Sequence, residues 1–174
     1  EQYWRETLRG VEPAAPLSVE RRADGNWHGA SEGQTHGQVS LRLSEEETTG
    51  LQELAQRSHL TLNTLLQGCW ALLLSRYRGA EEALFGVVVS GRPAEMEGVE
   101  QMVGLFINTL PLRVQVPGQM GWDEWIQQVQ EQNVQLRHYE YSPLVQVQRW
   151  SEIPAGAPLF ESLFVFENYP AEED

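Results

Sequence analysis

The fold of this chain is decided by residues 87–116, VVVSGRPAEMEGVEQMVGLFINTLPLRVQV. The stretch begins as an apolar strand that Gly91 and Pro93 end, crosses an acidic loop, and returns as an alternating strand. Polar residues stand where both strands meet the loop: Ser90, Arg92, Asn108 and Thr109. Because a loop held by a sheet can fix polar groups in place, these four residues form a candidate ligand site. An ordinary polar connection between two strands is the alternative interpretation.

Composition and charge narrow the class of protein. The chain has 174 residues, 41% of them hydrophobic, which suffices for one domain with its own core. Its net charge of -13 disfavours nucleic acid and anionic membrane surfaces as partners. No apolar run could span a bilayer, and no signal peptide or initiator Met opens the chain, so we expect a piece of a longer protein. The single cysteine, Cys69, is compatible with a cytoplasmic location.

The first half of the chain predicts one strand and three helices. Val39, Leu41 and Leu43 alternate with polar residues, as in a half-buried strand. The predicted helices cover residues 1–9, residues 45–57 behind a Ser44/Glu47 capping box, and residues 62–77 between Thr61 and Gly79. In the third helix we expect a buried stripe of Leu62, Leu65, Leu66, Cys69, Leu73 and Tyr77. Residues 11–37 are predicted to be a loop, in which Trp27 and His28 are given no role.

The second half predicts three further strands and two helices. Residues 84–89 are apolar on both faces, whereas residues 110–116 have one polar face, with Pro111 at a strand start or edge. Helices are predicted over residues 122–139 and from Pro143 to Trp150, followed by a strand at residues 163–166. After the first helix, the order β-α-α-β-β-α-α-β has no regular βαβ repeat. It therefore predicts an α+β fold in which helices cover a four-stranded mixed sheet, with its core in residues 38–170.

Chemical motifs alone do not name a reaction. None of the common nucleotide-binding, metal-binding or nucleophile motifs is present in the sequence. The four histidines do not pair at a spacing suited to metal binding or base catalysis: His28, His36, His59 and His138. Glu95, Glu97 and Glu100 cluster in the central loop, where solubility explains them. No catalytic residue and no metal site is therefore predicted.

Several segments resemble one family. Residues 89–114, VSGRPAEMEGVEQMVGLFINTLPLRV, closely resemble the C-terminal half of condensation domains in nonribosomal peptide synthetases. Within them, residues 103–109 look like that family's Ile/Val-Gly-x-Phe-Val-Asn-Thr motif, with Gly104, Phe106 and the following Arg113 in place. Residues 138–144, HYEYSPL, resemble its His-Gln-Asp-Tyr-Pro-Phe-Glu motif in altered form, keeping His138 and Pro143. Residues 3–10, 61–77 and 158–170 are similar to the segments around these motifs.

The resemblance implies a fold and a reaction. Such domains have two lobes, each like half of a chloramphenicol acetyltransferase fold, around a tunnel. Carrier domains deliver two thioesters on 4'-phosphopantetheine arms, and the acceptor amine attacks the donor thioester to form a peptide bond. The chain would then be most of a C-terminal lobe, because the catalytic His-His-x-x-x-Asp-Gly motif belongs to the other lobe and is absent here. Its expected partners are that N-terminal lobe, carrier domains and an adjoining adenylation domain, and the lobe itself binds no cofactor directly.

The resemblance also assigns roles within the lobe. The loop from Ser90 to Asn108 would form the tunnel floor, with Thr109 beside it and Asn108 offering a hydrogen bond near the reacting centre. Arg92 and Arg113 are expected to hold the loop or strand through carboxylates rather than to touch substrate. Two alternatives remain: an epimerisation or ester-forming member of the superfamily, and a non-catalytic lobe that only docks carriers or scaffolds a partner.

Overall fold

The computed structural model describes residues 1–13, 37–92 and 96–167, and these contain nine elements of secondary structure. Most of the predicted loop 11–37, with Trp27, His28 and His36, lies outside the described residues, as do Glu95 and residues 168–174. The elements are α1 (Gln2–Thr7), α2 (Glu45–Arg57), α3 (Leu62–Arg78), β1 (Glu82–Val89), a 3₁₀ turn (Val99–Gln101), β2 (Asn108–Gln115), α4 (Trp122–Arg137), α5 (Leu144–Trp150) and β3 (Leu163–Phe164).

The described sheet has three strands in the order β2-β1-β3. β1 pairs with β2 antiparallel, from Glu82 opposite Gln115 to Val89 opposite Asn108, and with β3 parallel at Gly86 and Val87. The sheet is therefore mixed, and β1 is central, as its apolar faces predicted. Because the pairing ends at Val89 and Asn108, both ends of the loop between β1 and β2 leave the sheet together.

Helices cover this sheet, which confirms the α+β class. α3 packs on β1 and α4 packs on α3, whereas α5 contacts both β2 and α1. The core between these layers includes the fully buried Phe85, Leu110 and Ile126. In the described residues, no helix is both long and apolar enough to cross a membrane.

The helix ends follow the predicted local signals. The Ser44 hydroxyl accepts from the Glu47 N–H at 3.2 Å, and the Glu47 carboxylate accepts from the Ser44 N–H at 2.8 Å, which completes a capping box. Thr61 caps α3 by accepting from the Thr64 N–H, and Gly79 ends it in the left-handed conformation. Pro143 is the N-cap residue of α5, so this helix begins one residue after its predicted start.

The predicted strand at residues 39–43 is wrong. These residues are assigned no strand, and Val39 and Leu41 are almost fully exposed. Alternation shows that a segment suits a strand, but a strand forms only where a second one hydrogen-bonds to it, and none of the described residues does so here. The described sheet therefore has three strands instead of four.

The buried face of α3 also differs from the prediction. Leu65 is buried, but Cys69 is exposed, and Leu73 and Tyr77 are 44% and 61% exposed. The buried positions instead carry small or polar residues: Thr64, Gln67, Gly68, Ala71 and Ser75, together with Leu74. The cause is the close approach of α4, since a Cβ at Gly68 would overlap the Ile126 side chain. A helix apolar on most sides does not reveal from composition which side a neighbour will cover.

Candidate functional site

The site is built where β1 ends and β2 begins. Val89 pairs with Asn108, and the chain then turns at Gly91, whose φ is +63°. A Cβ at Gly91 would overlap the carbonyl oxygen of Phe106, so the two ends of the loop touch through their backbones. Ser90 is exposed beside this contact, and its hydroxyl accepts from the Arg92 N–H at 3.3 Å. Only a glycine suits this left-handed, crowded position.

Arg92 holds the loop closed. Its guanidinium donates to the carbonyl of Val99 and, at 2.9 Å, to that of Met102. The same group lies 4.1 Å from the centroid of the Phe106 ring, within cation-π range. Arg92 thus makes contacts that suit the predicted holding role. They go to carbonyl oxygens and an aromatic ring, whereas carboxylates were predicted from the sequence.

Asn108 links the loop between β1 and β2 to residues 138–144, the second of the two segments that resemble family motifs. Its side-chain Nδ2 donates to the carbonyls of Glu140 at 2.7 Å and Ser142 at 2.8 Å. Its Oδ1 accepts from the backbone N–H of half-buried Thr109 at 2.9 Å. The carboxamide therefore has both donor hydrogens directed at the turn between α4 and α5. These hydrogen bonds fix the start of β2. They also engage the amide donors that the family resemblance had placed near the reacting centre.

The turn between α4 and α5, which Asn108 binds, is also held by two residues of α1. The indole of fully buried Trp4 donates to the hydroxyl of buried Ser142 at 2.9 Å. The Tyr3 ring stacks on Tyr139, with centroids 3.8 Å apart, and burial raises the pKa of the Tyr3 phenol. Of the predicted motif residues, His138 caps α4 and is exposed, and Pro143 caps α5. Neither Trp4 nor Ser142 was predicted as a site residue from the sequence. A serine in a polar turn is too weak a signal to show that it will be buried.

Arg113 anchors β2 to α1. It pairs with the Glu82 carboxylate at 2.7 Å, which confirms the predicted carboxylate contact. It also donates to the carbonyls of Thr7 at 3.1 Å and Arg9 at 2.8 Å, at the end of α1 and just after it. The polar face predicted for β2 is therefore partly covered: Pro111 is buried in this strand at the edge of the described sheet, whereas Gln115 is exposed.

The far end of the loop is apolar and open to solvent. Val103 and Leu105 are fully exposed, and Ile107 is 73% exposed. Between them along the chain lie Gly104, which is exposed, and Phe106, which is half-buried. Three such side chains close together are unusual on the surface of a soluble domain and indicate a contact surface.

A polar cleft of about 120 Å³ adjoins the same end of β1. It lies between Val87–Val89, the first turns of α3 and the second half of α4. Its walls carry uncharged polar groups that bond to each other, since Thr64 donates to Gln130 at 2.6 Å and Asn133 donates to Gln67 at 2.8 Å. The charged residues Arg137 and Glu140 complete its lining. The buried Oδ1 of Asn63 has no hydrogen-bond partner among the described residues. The cleft thus offers both hydrogen-bonding and charged groups.

Comparison with known proteins defines the class. The Condensation domain family matches residues 1–174, the whole chain, and the chain therefore belongs to the condensation-domain family. One of the proteins that make up the linear gramicidin synthase of Brevibacillus parabrevis is 47% identical over 173 residues, which are 99% of this chain and 2% of that protein. The chain thus spans a small part of the relatives it matches.

Solved structures support the fold. A holo four-domain nonribosomal peptide synthetase bound to AMP and glycine superposes with a TM-score of 0.76 and 22% identity, covering 98% of this chain and 13% of that one. The X-domain from teicoplanin biosynthesis superposes with a TM-score of 0.74 and 23% identity, covering 93% and 35%. The chain therefore has a fold like that found in chloramphenicol acetyltransferase-like condensation domains, as the resemblance implied.

Proposed function

We propose that residues 1–174 form most of the C-terminal lobe of a condensation domain that makes peptide bonds in nonribosomal peptide synthesis. The observation that carries this proposal is the match to the Condensation domain family over the whole chain. The chain is also similar to parts of synthases such as those for linear gramicidin and surfactin. The geometry supports it, because the family's motif segments converge on one place at the end of β1 and the start of β2.

The reaction needs position more than it needs a reactive group from this lobe. The acceptor amine attacks the carbonyl carbon of the donor thioester, a C–N bond forms and the C–S bond breaks. The thiol of the donor arm leaves with the proton that the amine gives up. Holding the amine close to the thioester in a shielded tunnel can supply much of the rate enhancement. In this proposal the loop from Ser90 to Asn108 is the tunnel floor, with Ser90 and Thr109 facing the substrates.

The partners follow from the same proposal. An N-terminal lobe brings the histidine motif, two carrier domains bring substrates on phosphopantetheine arms, and an adenylation domain adjoins them. The exposed apolar residues Val103, Leu105 and Ile107 suit a contact with the other lobe. A cytoplasmic location is part of this proposal.

The test is product formation from carrier-bound substrates. The two-lobed domain and the 174-residue chain are each mixed with a donor and an acceptor carrier domain loaded with amino acids, and the dipeptide is measured by mass spectrometry. We expect dipeptide from the two-lobed domain and none above background from the single chain.

Other outcomes separate the alternatives. An inverted α-carbon without dipeptide indicates an epimerisation domain, and an ester product indicates an ester-forming one. Carrier binding without any product indicates a docking lobe. Dipeptide made by the chain alone contradicts the division of roles between the lobes.

A further inference from the structure

A chain of hydrogen bonds runs from α1 to the start of β2. The Trp4 indole N–H donates to the Ser142 hydroxyl at 2.9 Å, and the Ser142 carbonyl accepts from the Asn108 amide at 2.8 Å. The Glu140 carbonyl accepts from the same amide nitrogen at 2.7 Å. One residue, Ser142, is therefore held by Trp4 through its side chain and by Asn108 through its backbone.

Burial makes the first of these bonds hard to replace. Trp4 is fully buried and Ser142 is 4% exposed, so water does not easily take the place of either partner. A buried N–H that loses its acceptor keeps its full desolvation cost, which favours a change of turn conformation when the hydroxyl is removed. The rings of Tyr3 and Trp4 both contact Tyr139, and these contacts restrict the position of the turn.

Asn108 depends on that position. Its two donor hydrogens reach carbonyls two residues apart in the turn, and both distances are short. A shift of the turn by a fraction of an ångström would stretch one bond or the other, because hydrogen bonds weaken steeply beyond their normal range. Asn108 is also the residue where the proposed tunnel floor rejoins the sheet, opposite Val89.

We propose that Trp4 and Ser142 are positioning residues for condensation. They act through Asn108 on the loop between β1 and β2, which rejoins the sheet at Asn108. This inference rests on the proposed function. It connects α1, which supplies none of the four residues of the candidate ligand site, to the place where the substrates would meet.

The first test compares serine variants of the two-lobed domain. We expect Ser142→Ala to lower kcat for dipeptide formation about ten-fold or more, while KM for the acceptor carrier stays within about two-fold, because misplacement slows the reaction more than it weakens docking. Ser151→Ala is the matched control. It also removes a serine hydroxyl that makes a hydrogen bond, in this case one donated to the carbonyl of Gln148 at 2.7 Å, at the far end of α5. Its kcat should match the wild type, and Ser142→Thr, which restores a hydroxyl, should recover activity.

The second test asks whether the effect passes through Asn108. In an Asn108→Ala background, adding Ser142→Ala should change kcat by less than about two-fold, since coupled residues are not additive. Multiplied effects, or wild-type kcat in Ser142→Ala, would overturn the inference. If Ser142→Ala does not fold, Trp4→Phe removes the same hydrogen bond and keeps a buried ring, and it should show the same coupling.

A third measurement does not depend on activity. Hydrogen exchange of the two-lobed domain should become faster in Ser142→Ala for peptides that contain Thr109 and residues 138–142, but not in Ser151→Ala. Unchanged exchange would contradict the mechanical link. A wild-type domain that makes no dipeptide, with exchange responding as expected, would refute the proposed function and leave this link standing.

Discussion

Gly91 is the residue on which the closure of the loop depends most directly. Its φ of +63° lies in the left-handed region, and a Cβ there would overlap a backbone atom that cannot rotate away. We expect Gly91→Ala to lower the free energy of unfolding by at least about 1 kcal/mol, from the left-handed backbone alone. Urea unfolding measures this.

Gly50 is the matched control for that substitution. It lies in α2, where nothing comes within 4 Å of a Cβ built on it. Gly50→Ala should leave stability unchanged or raise it by about 0.5–1 kcal/mol, because alanine favours a helix. Equal stability of Gly91→Ala and the wild type would show that the contact with Phe106 is not tight.

Site roles were harder to predict than site residues. Asn108 and Arg92 could be selected from the sequence because polar residues at strand ends are visible there. Their partners could not, since the Asn108 amide binds carbonyls 32 and 34 residues away, and Trp4 reaches a hydroxyl 138 residues away. A backbone carbonyl has the same chemistry at every residue, so no sequence pattern marks which one will be the acceptor.

At the scale of elements, the capping box makes the start of α2 sensitive to pH. The Ser44 backbone N–H, and after it the Ser44 hydroxyl, lower the pKa of the Glu47 carboxyl. A pKa lowered by folding adds stability above the unfolded value, and that stability is lost as the pH falls through the folded value. We expect Ser44→Ala to lower the helical signal and the Tm at about pH 7, and to matter less once acid has protonated Glu47.

Circular dichroism at about pH 7 and about pH 3 checks this, since the two values lie on either side of an ordinary Glu pKa. Ser58→Ala, at the other end of α2 and outside the capping box, is the control and should show no such pH dependence. Because Ser44→Ala keeps the backbone N–H, an effect of equal size at both pH values would contradict the contribution of the hydrogen bond between the Ser44 hydroxyl and the Glu47 carboxylate.

The two sides of α3 provide a further prediction. Leu65 is 2% exposed, whereas Leu73 on the same helix is 44% exposed. Leu65→Asp should cost several kcal/mol, since it buries a carboxylate without a partner, and Leu73→Asp should cost less than about 1 kcal/mol. Denaturant midpoints of the two variants measure the difference. Similar midpoints would contradict the packing of this helix.

The helices also show where prediction from sequence ends. Their bounds were within about two residues of the predicted ones, because caps, glycine and proline act locally. The buried face of α3 was not predicted, because Thr64 and Gln67 enter the core only where Gln130 and Asn133 of α4 bond to them. The segment 39–43 failed for a related reason, as a strand depends on a partner that local alternation does not specify.

At the scale of the whole molecule, apolar surface and net charge oppose each other. Val103, Leu105 and Ile107 expose an apolar patch at the loop, which favours association between copies of the chain. The net charge of -13 makes the copies repel one another. Salt shortens the range of that repulsion from about 10 Å at 0.1 M to about 3 Å at 1 M, and leaves the apolar contact in place.

We therefore expect the 174-residue chain to be mainly monomeric at low salt and to associate as salt is raised, which sedimentation velocity measures. Leu105→Asp should abolish the association, because it places a charge in the middle of the patch. Val145→Asp adds the same charge on α5 at a valine that is 63% exposed, and it should associate like the wild type. If both variants lose association equally, net charge rather than the patch controls it. If neither does, the copies meet through another surface and the loop is not the contact surface proposed for the other lobe.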